Sequence, residues 1–141
     1  MIHILLLLAF LSPVASEAEP LKIVPMAGGA SSQIEEARTV VVRTAAEWTA
    51  LWKEHAPDGK APVVDFKQSM VLAVFSGTRP TAGHAIAITQ VDARESEIIV
   101  TYTETQPRAT EMVAQMLTTP FHIVRTDARA GKVTFKLAAA K

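Results

Sequence analysis

The second half of the chain is a succession of short strand-like segments separated by polar turns, and this pattern constrains the fold more than any other feature. Residues 70–76 are an apolar run typical of a fully buried strand. Residues 84–91 and 97–105 follow as two more strands, the second with side chains that alternate with a period of two. Residues 121–126 and 132–137 complete the series. Short strands joined by tight turns predict hairpins and an antiparallel sheet.

One helix is predicted ahead of these strands. Residues 37–43 contain a β-branched run that predicts an earlier strand, and a capping box follows it, from Thr44 to Glu47. The next apolar positions share one helical face because they are spaced at i, i+3, i+4 and i+7; they are Trp48, Leu51, Trp52 and His55. The sequence therefore predicts an α+β fold, in which this tryptophan-bearing helix packs on an antiparallel sheet of about five or six strands.

The first residues predict export. Residues 4–11 form an apolar run that is too short to span a bilayer, and small residues follow it. Cleavage after Ser16 and cleavage after Ala18 both fit this pattern. We therefore expect residues 1–18 to be a signal peptide and the mature protein to be periplasmic or extracellular. No other stretch of the sequence approaches membrane-spanning length.

The remaining sequence predicts a leader and one domain. Residues 19–33 are rich in proline, glycine and serine, which indicates a flexible leader. The single folded domain is expected at residues 34–138. Residues 110–117 are ambiguous, because their apolar spacing suits a helical turn and an extended edge equally.

Composition excludes several classes of function. The 14 basic and 14 acidic residues give a net charge of zero, so there is no electrostatic footprint for nucleic acid. The absence of cysteine removes disulfide scaffolds, thiolate metal sites and cysteine nucleophiles. Neither a GxSxG elbow nor a metal-ligand histidine spacing occurs. We therefore predict no enzyme and no cofactor; the catalytic alternative is a metal-assisted hydrolase built on His84, His122 and a carboxylate.

The loop between the strands at 70–76 and 84–91 is the candidate binding site. It joins two segments that are predicted to be buried, so its tip would project from a rigid base. Proline fixes its own φ and biases the preceding residue to an extended conformation, while glycine permits a positive φ. The predicted partner-binding residues are Arg79, Pro80, Thr81, Gly83 and His84. The alternative is a long hairpin turn in which Arg79 bonds local carbonyl groups.

Several short motifs occur in an order that resembles a known family. They are Glu47-Trp48-x-x-Leu51-Trp52, Val64-Asp65-Phe66, Met70-Val71-Leu72-Ala73-Val74-Phe75, Gly77-x-Arg79-Pro80-Thr81-x-Gly83 and Thr119-Pro120-Phe121-His122-Ile123-Val124. Together they resemble the C-terminal domain family of the protease complex subunit PrcB, over about residues 34 to 137. The resemblance implies an exported, non-catalytic domain that supports assembly or stability of a protease complex. Its implied partner is a protease or another exported protein.

Two other functions stay open. A periplasmic small-ligand or peptide-binding module would use a concave sheet face near Trp48, Trp52 or Tyr102. The Arg79 to His84 loop also resembles the inhibitor loop of chagasin-like cysteine protease inhibitors, which implies a protease inhibitor acting through that loop. The other two loop motifs of that family are not evident, and a tryptophan-bearing helix is foreign to its immunoglobulin-like sandwich.

Overall fold

The computed structural model describes residues 17–139, so most of the predicted signal peptide lies outside the described residues. This part of the chain folds into eight strands and one helix: β1 (Glu19–Pro20), β2 (Val24–Gly29), β3 (Ala37–Val42), α1 (Ala45–His55), β4 (Ser69–Ser76), β5 (Ala85–Ala93), β6 (Glu97–Thr105), β7 (Phe121–Asp127) and β8 (Lys132–Leu137). Among the described residues, no helix has the length and apolar character needed to cross a membrane. The structure is thus mostly β with one short helix.

The strands form two four-stranded sheets. The outer sheet has the order β1-β5-β6-β8, and the central sheet has the order β2-β7-β4-β3. The pairings are antiparallel except for β8, which lies parallel to β6. The expectation of one sheet with five or six strands is therefore wrong. Alternation shows that one side of a strand is buried, but it does not show which sheet contains the strand.

The central sheet is covered on both faces, which explains the unbroken apolar sequence of β4. One apolar cluster joins the central and outer sheets, and its β4 members include Leu72 and Val74. The other cluster joins the central sheet to α1, and its β4 members include Val71 and Phe75. Strand β4 therefore lies in the middle of a three-layer arrangement of helix, central sheet and outer sheet. Its two ends carry the features described below.

The segment expected to be a flexible leader is instead part of the fold. Strand β2 pairs antiparallel with β7, with Val24 opposite Arg125 and Gly29 opposite Phe121. Pro25 is accommodated because β2 is an edge strand and its register shifts between Pro25 and Ala27. The folded unit therefore begins before residue 34. Proline and glycine indicated irregular local structure here, but an edge strand with a bulge accepts both residues.

Helix α1 begins where the capping box places it. The Thr44 hydroxyl accepts a hydrogen bond from the Glu47 amide at 3.2 Å and donates one to the Glu47 carboxylate at 2.9 Å. At the other end, the Ala56 amide donates to the carbonyl of Trp52 at 2.7 Å. Trp48 and Leu51 are buried in the cluster that also contains Val71 and other central-sheet residues. Local capping and the apolar face together fix the position of the helix.

The indole N–H groups of the two tryptophans of α1 differ in their hydrogen bonding, and this difference predicts losses of stability of different size on substitution. Trp48 Nε1 donates to the carbonyl of Pro62 at 2.9 Å, whereas Trp52 Nε1 is buried and has no hydrogen-bond partner among residues 17–139. We expect Trp48→Phe to lower the free energy of unfolding by about 1–2 kcal/mol more than Trp52→Phe, because only the first breaks a made hydrogen bond. Urea unfolding of both variants measures this; equal losses would contradict the assignment.

Candidate functional site

The predicted binding loop, residues 77–84, is tied to a second segment of the chain. That segment, the connector, comprises residues 106–119 and joins β6 to β7. The Arg79 amide donates to the Thr118 carbonyl at 2.7 Å, and the Thr118 amide donates to the Arg79 carbonyl at 3.0 Å. The two residues form an isolated antiparallel bridge. The loop therefore does not project freely.

Further contacts hold the loop against the connector. The Ala82 amide donates to the Ala114 carbonyl at 3.0 Å, and the Thr118 hydroxyl donates to the Thr81 carbonyl at 2.8 Å. Gly83 has φ +89°, and a Cβ placed on it would lie 2.9 Å from Pro107 Cβ. Because real Cβ contacts are longer than this, glycine is what allows the connector to approach. Loop and connector form one packed unit.

The Arg79 side chain connects the loop to β4 and β6. Its Nη2 lies 3.3 Å from Glu104 Oε1 on β6, and its Nε donates to the Ser76 hydroxyl at 3.5 Å. The arginine and glutamate side chains are 32% and 30% exposed, so water screens the pair and its contribution to stability is small. The alternative prediction, that the Arg79 side chain bonds local carbonyl groups, is wrong, because this side chain contacts the Glu104 carboxylate on β6.

The other predicted contact residues differ in accessibility. Pro80 and Gly83 are exposed, while Thr81 and His84 are half-buried. His84 lines a space of about 10 Å³ together with Arg79, Glu104 and their neighbours. Such a space is about the size of one water molecule. The loop is therefore suited to surface contact and offers no cavity for an organic ligand.

The connector exposes large apolar side chains beside this loop. Met112 is 100% exposed, Leu117 is 72% exposed and Met116 is 55% exposed. After a turn at residues 109–110, the connector is neither helix nor strand until its bridges at Thr118 and Thr119, which resolves the ambiguity of residues 110–117. We call Met112, Met116 and Leu117 the connector side chains. Sequence analysis noted the apolar spacing here but not its exposure.

The comparison with known families covers this unit. Residues 70–127 match the model of the family described as PrcB C-terminal. The resemblance to the PrcB C-terminal family is thereby confirmed over these residues, while the motifs at 47–52 and 64–66 lie outside the match. The matched segment extends from β4 to the end of β7 and contains both the loop and the connector. No curated protein and no solved structure matches the chain.

Within the segment that matches the family model, His122 links the two sheets. Its Nδ1 accepts a hydrogen bond from the Ile88 amide at 2.9 Å, at a register shift in the pairing of β5 with β6. Within residues 17–139, no three His, Cys, Asp or Glu side chains are grouped so that they would hold a metal ion. The metal site considered for His84, His122 and a carboxylate is therefore not assembled. His122 has a structural contact in its place.

His55 has a comparable structural contact outside the matched segment. Its Nδ1 lies 2.8 Å from the Ser32 hydroxyl oxygen, which also accepts a hydrogen bond from the Ile34 amide at 3.0 Å. Its ring centroid is 4.3 Å from that of Phe121. Ser32 and His55 resemble a nucleophile and its base in composition only. Both are buried in the core, and their contact joins the end of α1 to the segment before β3.

We expect the protein to lose stability in acid because of His55 and His122. Burial lowers the pKa of His55 and of His122 below the ordinary value of 6.5. As the pH falls through that value, the unfolded chain binds protons that the folded protein does not, so the free energy of unfolding decreases. Urea unfolding at pH 7.5 and 5.0 measures the loss. His122→Gln retains an acceptor but cannot titrate, so a pH dependence as steep as that of the wild type would contradict this assignment.

Proposed function

We propose that this chain is an exported, non-catalytic protein-interaction domain that serves as an accessory or stabilising subunit of a protease complex. The family match supports the association with a protease complex, since PrcB is a subunit of one. The apolar run and small residues near the N-terminus support export. The contact surface in this proposal is the connector together with the exposed part of the loop, Pro80 and Gly83.

The observation that carries this proposal is the exposure of the connector side chains. Single exposed apolar residues are common on protein surfaces. Here three exposed apolar side chains occur within six positions. The segment that carries them is neither helix nor strand, so they do not form the apolar face of a regular element that packs on the core. Methionine is flexible and polarisable, which suits an adaptable protein interface. A partner would remove these side chains from water, which is the usual source of binding free energy.

The bracing of the loop adds to this argument. Four backbone or hydroxyl hydrogen bonds join the loop to the connector. The ion pair between Arg79 and Glu104 joins the loop to β6 as well. A surface that is ordered before binding loses less conformational entropy when a partner docks. The predicted loop residues therefore act in two ways: Pro80 and Gly83 provide surface, while Arg79 and Thr81 hold the connector in position.

Affinity capture from the source organism's periplasm or culture supernatant tests the proposal. The variant carries Met112→Ser, Met116→Ser and Leu117→Ser, and the control is Val63→Ser, because Val63 is 94% exposed but lies outside the connector. A few residues carry most of the binding free energy of an interface, at about 2 kcal/mol or more each, so removal of all three connector side chains should lower recovery of the protease subunit at least about tenfold relative to the wild type. The thermal transition should stay unchanged. Equal recovery by the triple variant would contradict the proposed contact surface.

The ligand-binding alternative has one observation in its favour. Tyr102 lines a cleft of about 220 Å³ together with Ile86, Thr39 and other residues of β3 and β4 in the central sheet and β5 and β6 in the outer sheet. Ligand pockets are commonly about 300–1,000 Å³, so this cleft is small. Trp48 is buried in the core and lines no part of this cleft. Protein binding is therefore the function that the geometry supports best.

A further inference from the structure

Two adjoining clefts lie at the end of β4 opposite the loop. The first has a volume of about 270 Å³ and is lined by Arg43, Phe66, Ser69, Met70, Ala128, Arg129 and Ala130. The second has a volume of about 210 Å³ and is lined by Lys22, Val24, Gln68, Ser69, Arg125, Thr126 and Asp127. Ser69, the first residue of β4, belongs to both walls. The clefts therefore adjoin each other at Ser69.

The walls of these clefts carry an excess of positive charge. Four cationic side chains line them, against the single carboxylate of Asp127; the cations are Lys22, Arg43, Arg125 and Arg129. Within residues 17–139, the ion pairs are Arg38–Glu54, Arg79–Glu104 and Arg129–Glu19. Among the described residues, three of the four cleft cations therefore have no carboxylate partner. A cleft lined by one sign of charge concentrates ligands of the opposite sign.

Arg43 is held in position at the first cleft. Its Nη2 donates to the Gly131 carbonyl at 2.7 Å and to the Arg129 carbonyl at 3.3 Å. Both bonds come from Nη2, and among the described residues Nε and Nη1 make no hydrogen bond. The nearby carboxylate of Glu47 is already engaged by the Thr44 hydroxyl at 2.9 Å. A guanidinium held in this way loses little rotamer freedom when it binds.

We propose that the two clefts bind an acidic peptide segment, with one carboxylate side chain in each cleft. The planar guanidinium group matches a carboxylate with two parallel hydrogen bonds. Phe66 and Met70 give the first cleft an apolar wall against which the methylene groups of a glutamate side chain pack. The site is independent of the proposed function, since it lies at the other end of β4 from the loop and connector. A net charge of zero for the whole chain does not reveal this local excess of basic side chains.

Calorimetric titration of the full chain with a capped tetraglutamate peptide tests this site. Capped tetraglutamine, free glutarate and inorganic phosphate are the comparison ligands. We expect tetraglutamate to bind at low ionic strength, tetraglutamine not to bind, and the affinity to weaken as salt is added. Arg43→Gln combined with Arg125→Gln should reduce the affinity at least about tenfold. Arg108→Gln combined with Lys136→Gln makes the same change in net charge outside the clefts and should reduce it less than about twofold.

Each outcome is decisive if folding is verified by the thermal transition. Arg43 also bonds two carbonyl groups, so Lys22→Gln combined with Arg125→Gln provides a second variant that leaves those bonds intact. Failure of tetraglutamate to bind at low salt would overturn the proposal. An equal loss of affinity in the control that combines Arg108→Gln with Lys136→Gln would also overturn the proposal. Phosphate binding as tightly as the peptide would overturn the carboxylate assignment, and equal binding of glutarate would overturn the peptide.

Discussion

Replacing Leu72 by alanine is expected to lower the free energy of unfolding by about 3 kcal/mol, within the range of about 2–5 kcal/mol for buried leucines. Leu72 is 0% exposed in the middle of β4, in the cluster that also contains Ile98 and Val100 of the outer sheet. The substitution removes apolar contacts between the two sheets and leaves a cavity where neither sheet can easily collapse. Urea unfolding at constant pH measures the loss.

The matched control for this substitution is Leu117→Ala. Leu117 is 72% exposed on the connector, so we expect its truncation to change the free energy of unfolding by less than about 0.5 kcal/mol. Similar small losses for the two variants would mean that the outer and central sheets do not pack as described. Similar large losses would mean that the connector is buried, and would remove the basis of the proposed contact surface.

Replacing Gly77 by alanine is expected to cost at least about 2 kcal/mol. Gly77 follows β4 and has φ +78°, a conformation that residues with a Cβ rarely adopt. A Cβ placed there would also lie 2.8 Å from the backbone nitrogen of Ala37. The backbone of β3 or of the loop would have to move, because that neighbour is not a flexible side chain.

Gly59→Ala is the control for backbone strain. Gly59 has no positive φ of this kind, and a Cβ placed on it would lie 3.5 Å or more from its nearest neighbours. We therefore expect this variant to be as stable as the wild type, or up to about 1 kcal/mol more stable because its unfolded chain is less flexible. Thermal unfolding of the two variants is the measurement. Equal transition temperatures would contradict the described turn at Gly77.

Local sequence signals predicted individual elements well. The capping box at Thr44 and the spacing of Trp48 and Leu51 indicated α1, and the structure has it at Ala45–His55. The apolar run from Met70 indicated a strand with two buried faces, which is what a strand in a middle layer requires. Both signals depend on residues close together in sequence.

The arrangement of the strands was not predictable in the same way. Strand β8 pairs with β6 in parallel, and β2 pairs with β7 about a hundred residues away. Neither pairing has a turn that would mark it in the sequence. The division into two sheets follows from these long-range pairings. Sequence analysis located most of the strands, but it assigned them to one sheet.

The candidate site was predicted in part. Sequence analysis located the loop, but it treated the loop as a free projection. In the structure the backbone of Thr118 bonds that of Arg79, 39 residues earlier, and the connector provides the exposed apolar side chains. The basic clefts were not predicted either, because a net charge averages over the surface and gives no information about where the charges lie.

The most direct test of the proposed interaction surface is site-specific photocrosslinking in the cells that make the protein. A photoreactive amino acid replaces Met112 in one variant and Val63 in another, since both side chains are at least 94% exposed. The account predicts a covalent adduct with a protease subunit from position 112 and none from position 63. Adducts with that subunit from position 63 alone, or no protease adduct from either position, would contradict the account.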